Sequence, residues 1–571
     1  MSLVTGNNSI DSLVYSSWNT NAHTPAVLSY SFLTSAPSDA NADDRAGFTP
    51  MTAAQRQAVN TALTQWADVA NISFQQVSSG GNLQFGTNDQ SSSNSAAYAY
   101  LPGKWINSVA MYLDNHSSFN NTFNPGSYGL NVVLHEIGHM LGLKHPGSYD
   151  SAGDALAGAV LPKEFDNEDY TIMSYTAPTG VRLNGKYPVS PMLYDIQAVQ
   201  YLYGANMSYR TGDDVYAFAA NETPRSIWDA GGTNTFDFSS SVQKALINLN
   251  AGTFSETAPG LHNISIAYGV SVQRAVAGSG GSIIIGNDLG DVMTGGAGAD
   301  QFELGKGNDT VSGAGGSDTV VFDLAFSKYG VVRVGDNVTV IGEGVDKLQG
   351  VESLRFSDRT LSVSDLAQAI SLEGGAGNDM LQAQAGSLRV DGGAGVDTLV
   401  FSGSGKNAAI STVAGAVVIS DGANSDVLTG VERLQFSDWA VALDTNGSAG
   451  QLYRLYGAMF ARTPDEGGLG FWLQARDHGV TVESIANDFI NSAEFTRLYG
   501  ANLSNEDFVT QLYRNVLHRD PDASGYAFHL TDLQHGSSRA HVLVNFSESP
   551  EYIASLVGVM PSTLAYAPYT G

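Results

Sequence analysis

The 571-residue chain has no cysteine at all. Disulfides, thiolate nucleophiles and cysteine-ligated zinc are therefore excluded together. Basic side chains are scarce too, with 27 Lys and Arg against 56 Asp and Glu and a formal charge of −29. That balance disfavours nucleic acid and anionic membranes as partners and favours solubility and bound divalent cations. No apolar run reaches the roughly 18 residues of a membrane span. Met1–Asn21 lacks a basic start followed by an apolar core, so no ordinary N-terminal secretory signal is expected there. At this length several domains are expected, with room for a sizeable core.

The chemistry is concentrated in His135-Glu136-Ile137-Gly138-His139-Met140-Leu141-Gly142-Leu143-Lys144-His145. Residues four apart share a helix face, so His135 and His139 can offer two ring nitrogens to one metal, with Glu136 beside them. Gly142 suits a helix end that needs positive φ, after which the chain can turn back and bring His145 in as third ligand. Three protein ligands leave one position open, which is the catalytic arrangement of zinc rather than the closed structural one. A water there has its pKa lowered from roughly 16 to about 7. Glu136 is placed to take its proton as general base and to pass it to a leaving amine. Downstream, Ile172-Met173-Ser174-Tyr175 supplies the methionine turn that accompanies this extended motif in metzincins.

These residues, with Pro146-Gly147-Ser148-Tyr149 after the third histidine and Tyr201–Met207 before Arg210-Thr211-Gly212, resemble the serralysins. Those are secreted bacterial zinc endopeptidases that need calcium, and the resemblance runs from about residue 30 to 320. It implies that Tyr175 is a switchable fifth zinc ligand that also binds the oxyanion, and that Met173 forms an apolar floor beneath the metal. It implies that Ala97, Tyr98 and Ala99, within Ala96–Tyr100, form the substrate-facing edge strand; an ordinary internal strand is the alternative. An edge strand can hydrogen-bond a peptide as one strand more. Side-chain preference is expected to depend on a pocket near Thr176–Pro191. Calcium ligands are implied at Arg210, Gly212, Asp229 and Gly231. Asn234 stands where the family has Asp, and Ser271 and Gln273 where it has a Thr-x-Glu pair, so those calcium sites are expected to be weak or absent. One-step export through a C-terminal signal would reconcile a secreted protein with the missing N-terminal signal, although Ala567–Gly571 lacks the usual ending.

Elsewhere, local patterns predict a mixed α/β module. Val59, Ala62, Leu63, Trp66 and Val69 recur at helical spacing within Pro50–Asn71, and Ile72–Val77 and Leu83–Phe85 read as short strands. From about residue 286 the chain becomes periodic. Asp291, Asp300, Asp309 and Asp318 recur every nine residues after Gly-rich turns, the pattern of calcium-binding parallel β-rolls. Two nonapeptides make one coil, so aspartates eighteen apart stack: Asp291 with Asp309, and Asp300 with Asp318. A second block keeps Asp379 and Asp397, while Gln382–Val390 between them has lost its aspartate. One competent edge is expected to survive there. Loss of calcium is expected to unfold residues 286–400, because the aspartates would face one another without a cation. Gly350–Asp358 and Gly430–Asp438 repeat one another and suggest capping strands after each roll.

The tail differs again. Gln451–Arg454, Arg462–Asp465 and Phe489–Phe495 repeat as Gln511–Arg514, Arg519–Asp522 and Phe546–Tyr552, with Pro464 and Pro521 offset by 57. It resembles a bacterial helical repeat family of undetermined function, and its Arg-x-Pro-Asp segment reads as a loop or helix cap rather than a binding site. The expected organisation is multidomain. An N-terminal segment, 1–25, is a candidate pro-region. A metzincin zinc protease domain of α/β class follows at 26–205, a serralysin-type region with the first all-β RTX roll at 206–365, a second, degenerate roll at 366–445 and a small all-α domain at 446–571. The expected protein is a secreted or cell-surface zinc endopeptidase acting on proteins or peptides, with one catalytic zinc, several structural calcium ions and no nucleic-acid partner. The tail is a candidate for surface-layer, matrix or self-association. The alternative function is a surface or matrix binding protein built on an inactive protease fold.

Overall fold

The computed structural model describes residues 5–93, 95–149, 158–178, 185–406, 408–413, 415–420 and 425–569. Two compact units emerge, one of residues 1–326 and 346–364, the other of 327–345 and 365–571. No helix among the described residues is long and apolar enough to cross a membrane.

In the first unit, β1 (Ala26–Phe32), β2 (Ile72–Gln76), β3 (Leu83–Asn88), β4 (Ala97–Ala99) and β5 (Val109–Asp114) form one sheet in the order β2-β1-β3-β5-β4. Pairing is parallel except at the last step, where Ala97, Tyr98 and Ala99 oppose Leu113, Tyr112 and Met111 antiparallel. The chain's first helical pieces are short, α1 (Asn8–Asp11) and α2 (Ala42–Arg45). The long α3 (Ala53–Val69) starts at a capping box of Thr52 and Gln55, and its predicted apolar positions Val59, Ala62, Leu63, Trp66 and Val69 are all buried. Burying each of the larger ones contributes about 1.5–3 kcal/mol. Against α3 packs α4 (Tyr128–Met140), capped by the Ser127 hydroxyl and held by the Trp66 indole N–H, which donates to the Leu134 carbonyl at 3.2 Å. The last helix of the module is α5 (Leu193–Tyr203).

Residues 13–18 lie along the C-terminal end of α4, while α1 packs on α5. Tyr15 N donates to the Gly142 carbonyl at 3.0 Å, Lys144 N to the Leu13 carbonyl at 2.7 Å, and Leu13 is fully buried.

After α5 the same unit becomes a stack of short strands in two sheets. In one, Val292–Thr294 pairs parallel with Thr310–Ser312; in the other, Gln301–Glu303 pairs parallel with Thr319–Val321, each residue with the one eighteen ahead. The residues between glycine-rich turns alternate, so Met293, Phe302, Val311 and Val320 are buried.

The second unit repeats this stacking in Met380–Gln382 with Thr398–Val400 and in Ile370–Glu373 with Leu388–Asp391. It also takes in the hairpin Gly330–Val334/Asn337–Ile341, because Val332 and Ile341 pack with Ala416, Val418 and Val427. Motif limits placed that hairpin with the first roll; packing groups it with the second.

Eight helices follow: α6 (Ser448–Phe460), α7 (Glu466–Asp477), α8 (Val482–Ile490), α9 (Ala493–Tyr499), α10 (Asn505–Leu517), α11 (Ala523–Gln534), α12 (Arg539–Ser547) and α13 (Pro550–Ser555). Asp465 caps α7 through Gly468 N, and Asp522 caps α11 through Gly525 N, so the repeated Arg-x-Pro-Asp segment starts a helix in each copy. Its arginine turns back: Arg462 pairs with Glu494 and lies 5.0 Å over the Tyr456 ring, as Arg519 does with Glu551 and Tyr513. The helical core continues into Ala440, Ala442, Leu564 and Tyr566, strand residues that pair with one another.

Candidate active site

The helix α4 puts His135 and His139 one turn apart, and the chain reverses beyond Leu141. Gly142 has φ +105°, and a Cβ there would lie 2.1 Å from the Ser16 carbonyl oxygen, so both the turn and the close approach of residue 16 require glycine. The reversal returns His145, whose Nε2 sits 3.2 Å from that of His135 and 3.1 Å from that of His139. Each ring is oriented from behind. His135 Nδ1 lies 2.7 Å from the Ile172 carbonyl and His139 Nδ1 2.8 Å from that of Leu143. A carbonyl only accepts, so these Nδ1 atoms carry the hydrogens and the Nε2 lone pairs face inward. Burial, then the neighbouring histidine, pushes each of the three imidazoles down to about 3, which keeps them neutral.

Three inward lone pairs at this separation repel one another unless a cation lies between them, and neutral imidazoles suit zinc. The donor set thus fits a zinc ion. Glu136 is buried, its Oε2 has no hydrogen-bond partner, and burial pushes its carboxyl up to about 8. Met173 is fully buried, and a Cβ on Gly138 would come within 2.6 Å of its sulfur, so the missing side chain at Gly138 leaves room for the methionine turn. The Tyr175 ring is 4.4 Å from that of His145, centroid to centroid, and is 56% exposed. Ala97, Tyr98 and Ala99 border the cleft at the sheet edge, with Glu136, His139 and His145 opposite.

Three family models match the chain. One described as Matrixin covers residues 48–156, one described as Peptidase M10 serralysin C terminal covers 205–437, and a domain of unknown function, DUF4214, covers 486–556. Among similar proteins, the Metalloprotease AprA of Pseudomonas entomophila (strain L48) is 39% identical over 291 residues, spanning 47% of this chain and 60% of its own. The Serralysin of Proteus mirabilis is 39% identical over 272 residues (42% and 55%), and Serralysin G of Dickeya chrysanthemi 38% over 284 (46% and 59%). Over these residues the chain is similar to the serralysin-type metzincins. It spans under two thirds of the length of the relatives it matches.

In this serralysin-type region, the other residues named from sequence also meet. The segment Arg210–Gly212 lies against Gly231 and Gly232, and Asp229 is buried, accepting from Gly231 N at 3.0 Å and the Tyr216 hydroxyl at 2.6 Å. Nearby, Asn234 N donates to Gln273 Oε1 and its side-chain Nδ2 to the Ser271 carbonyl at 3.0 Å.

The aspartates form ladders. Asp291 N donates to Asp309 Oδ1 at 2.6 Å, Asp300 N to Asp318 Oδ1 at 2.8 Å, and Asp379 N to Asp397 Oδ1 at 2.8 Å. One carboxylate oxygen on each of Asp291, Asp300, Asp309, Asp318 and Asp397 is buried without a hydrogen bond. Burial pushes Asp291 up to about 7 and Asp318 up to about 6. Sequence reasoning missed the last rungs: Asp346 and Glu352 accept from Asp309 N and Asp318 N, and Asp426 and Glu432 from Leu388 N and Asp397 N. The duplicated Gly-Val-Glu at 350–352 and 430–432 was the signal for the two glutamates. Leu388, buried in the core, stands where the lost aspartate would be.

Two further residues act at a distance from their sequence neighbours. Asp195 in α5 is fully buried and accepts from Thr171 Oγ1, Ile172 N and Met192 N, which fixes the turn whose carbonyl orients His135. Asp44 in α2 accepts both the Tyr98 and Tyr100 hydroxyls, at 2.7 and 2.9 Å, and anchors the edge strand. Of the expected pocket at Thr176–Pro191, residues 179–184 lie outside the described residues.

Proposed function

We propose that the chain is a secreted zinc endopeptidase that hydrolyses peptide bonds in proteins and depends on calcium for folding. The observation that carries this reading is the convergence of three neutral Nε2 atoms beside a buried, hydrogen-bond-deficient Glu136 oxygen, in a cleft bordered by an edge strand. A peptide hydrogen-bonds to β4 as an added strand, which sets its backbone across the three histidines. Zinc held by His135, His139 and His145 would supply Lewis acidity to the scissile carbonyl and acidify a water. Glu136 accepts that water's proton and returns it to the amine nitrogen as the C–N bond breaks. Tyr175, beside His145, is placed to donate its hydroxyl to the developing oxyanion. Met173 holds the floor.

The aspartate ladders, with buried carboxylate oxygens lacking hydrogen bonds on Asp291, Asp300, Asp309, Asp318 and Asp397, support structural calcium at Asp291/Asp309, Asp300/Asp318 and Asp379/Asp397, and the resemblance to the serralysins puts another site at Asp229 with the Arg210 and Gly212 carbonyls. The Asn234 to Ser271 bond argues that the adjoining family site is lost. Calcium dependence and acidity suit an extracellular setting.

Zinc dependence is tested by stripping the protein with a zinc-selective chelator while calcium stays in excess. Hydrolysis of an unstructured protein substrate is expected to stop and to return with zinc alone. Full activity in zinc-free protein would sink the reading.

A further inference from the structure

The residues on either side of Tyr175 are tied to one carboxylate. Ser174 is buried, and its hydroxyl donates to Asp166 Oδ1 at 2.6 Å while accepting from Thr176 N at 3.1 Å. The Tyr149 hydroxyl donates to the same Asp166 oxygen at 2.6 Å and accepts from Tyr175 N. Asp166 thus gathers the Ser174 side chain and, through Ser174 and Tyr149, the backbone N–H groups of residues 176 and 175. The chain is built for this approach at Gly147, where a Cβ would lie 2.1 Å from Tyr149 Cε1 and 2.7 Å from Asp166 Oδ2.

The consequence falls on one side chain. The Tyr175 backbone is held, whereas its ring is exposed and lies 4.4 Å from the His145 ring and 5.4 Å from that of Tyr149. With the backbone held, the ring moves by rotation about its own side-chain bonds, always from the same origin. A hydroxyl that must meet an oxyanion at roughly 2.7–3.1 Å tolerates little displacement of that origin.

Tyr149 divides its two contacts. Its ring stacks on His145 at 5.8 Å, and its hydroxyl, among the described residues, reaches Asp166, Ser174 and Tyr175 N. Asp166 has a second route to the metal ligands, because it faces the buried Lys144 ammonium, which donates to the His145 carbonyl at 3.3 Å.

We infer that Tyr149 and Asp166 are positioning residues for Tyr175, holding its backbone so that its hydroxyl meets the developing oxyanion, and that the Tyr149 hydroxyl acts on the reaction through Tyr175 alone. The inference rests on the endopeptidase reading of the same site.

The test is a double-mutant cycle on peptide hydrolysis, with zinc content and thermal midpoint measured for every protein. Tyr149→Phe keeps the ring on His145 and removes the hydroxyl. It is expected to lower kcat about tenfold, with KM within about twofold and zinc unchanged. In a Tyr175→Phe background the same substitution is expected to change kcat by less than about twofold. Tyr149→Phe added to Asp166→Asn is expected to cost little more than Asp166→Asn alone, since the hydroxyl has then lost the acceptor that aims it. An equal loss in both Tyr175 backgrounds, no loss in either, or a fall in zinc content with Tyr149→Phe overturns the positioning role. Tyr175→Phe at the wild-type rate overturns it too, and leaves zinc and Glu136 as the catalytic groups. Wild type that is inert on any unstructured protein with zinc bound overturns the endopeptidase reading as well.

Discussion

Gly142 shows how much one residue can be asked to do. Its positive φ turns the chain toward His145, and its missing Cβ admits the Ser16 carbonyl. Gly142→Ala is expected to lower stability by about 1–3 kcal/mol from the backbone alone, with more from the displaced N-terminal segment. Denaturant unfolding checks this; an unchanged midpoint would show that the contact is dispensable. The zinc triad and Gly142 were readable because their geometry is local: one helix, one turn, eleven residues. Asp195 was not, since it acts on Thr171 and Ile172 through contacts that no periodicity encodes. Asp44 escaped for the same reason.

At the scale of elements, the nine-residue period gave the correct stacking partners because a repeat that closes a coil every eighteen residues leaves no freedom in register. It could not give Asp346, Glu352, Asp426 and Glu432, which lie outside the nine-residue repeats. The raised aspartates make a signed prediction. Without calcium, Asp291 (about 7) and Asp318 (about 6) stand above their ordinary 3.8, so the folded chain binds more protons than the unfolded one between those values. Calcium-free stability therefore falls as pH rises through that window. Calcium needs the carboxylates deprotonated, so in its presence the trend reverses. Thermal melts of calcium-stripped and calcium-saturated protein at pH 5 and 7.5 check both signs; parallel trends would count against calcium at the ladders.

Within the second compact unit, the helical tail and the degenerate roll share one buried charge cluster. Arg433 is 1% exposed and donates to Asp444 and, at 3.0 Å, to Asp477 at the end of α7. Asn378, in a ladder turn, also donates to the Asp477 carbonyl. Replacing Arg433 by alanine leaves two partly buried carboxylates without their cation, at about 3–5 kcal/mol. Strand and helix signals of this unit are expected to melt together, and in Arg433→Ala to shift down together; a shift in the helices alone would show that the tail folds by itself. The duplication at 57 residues was legible in the tail, but its attachment to the roll was not, because Arg433 stands where the first copy has Ser353, and nothing in the repeat tells which carboxylates it meets.

For the molecule as a whole, the central claim is that this fold hydrolyses peptide bonds with Glu136 as general base. The direct measurement is casein hydrolysis by wild type and by Glu136→Gln, with zinc content determined for both. The account predicts equal zinc and a loss of about 10²–10⁴-fold in the variant. Equal rates, or two zinc-loaded proteins equally inert, would contradict it.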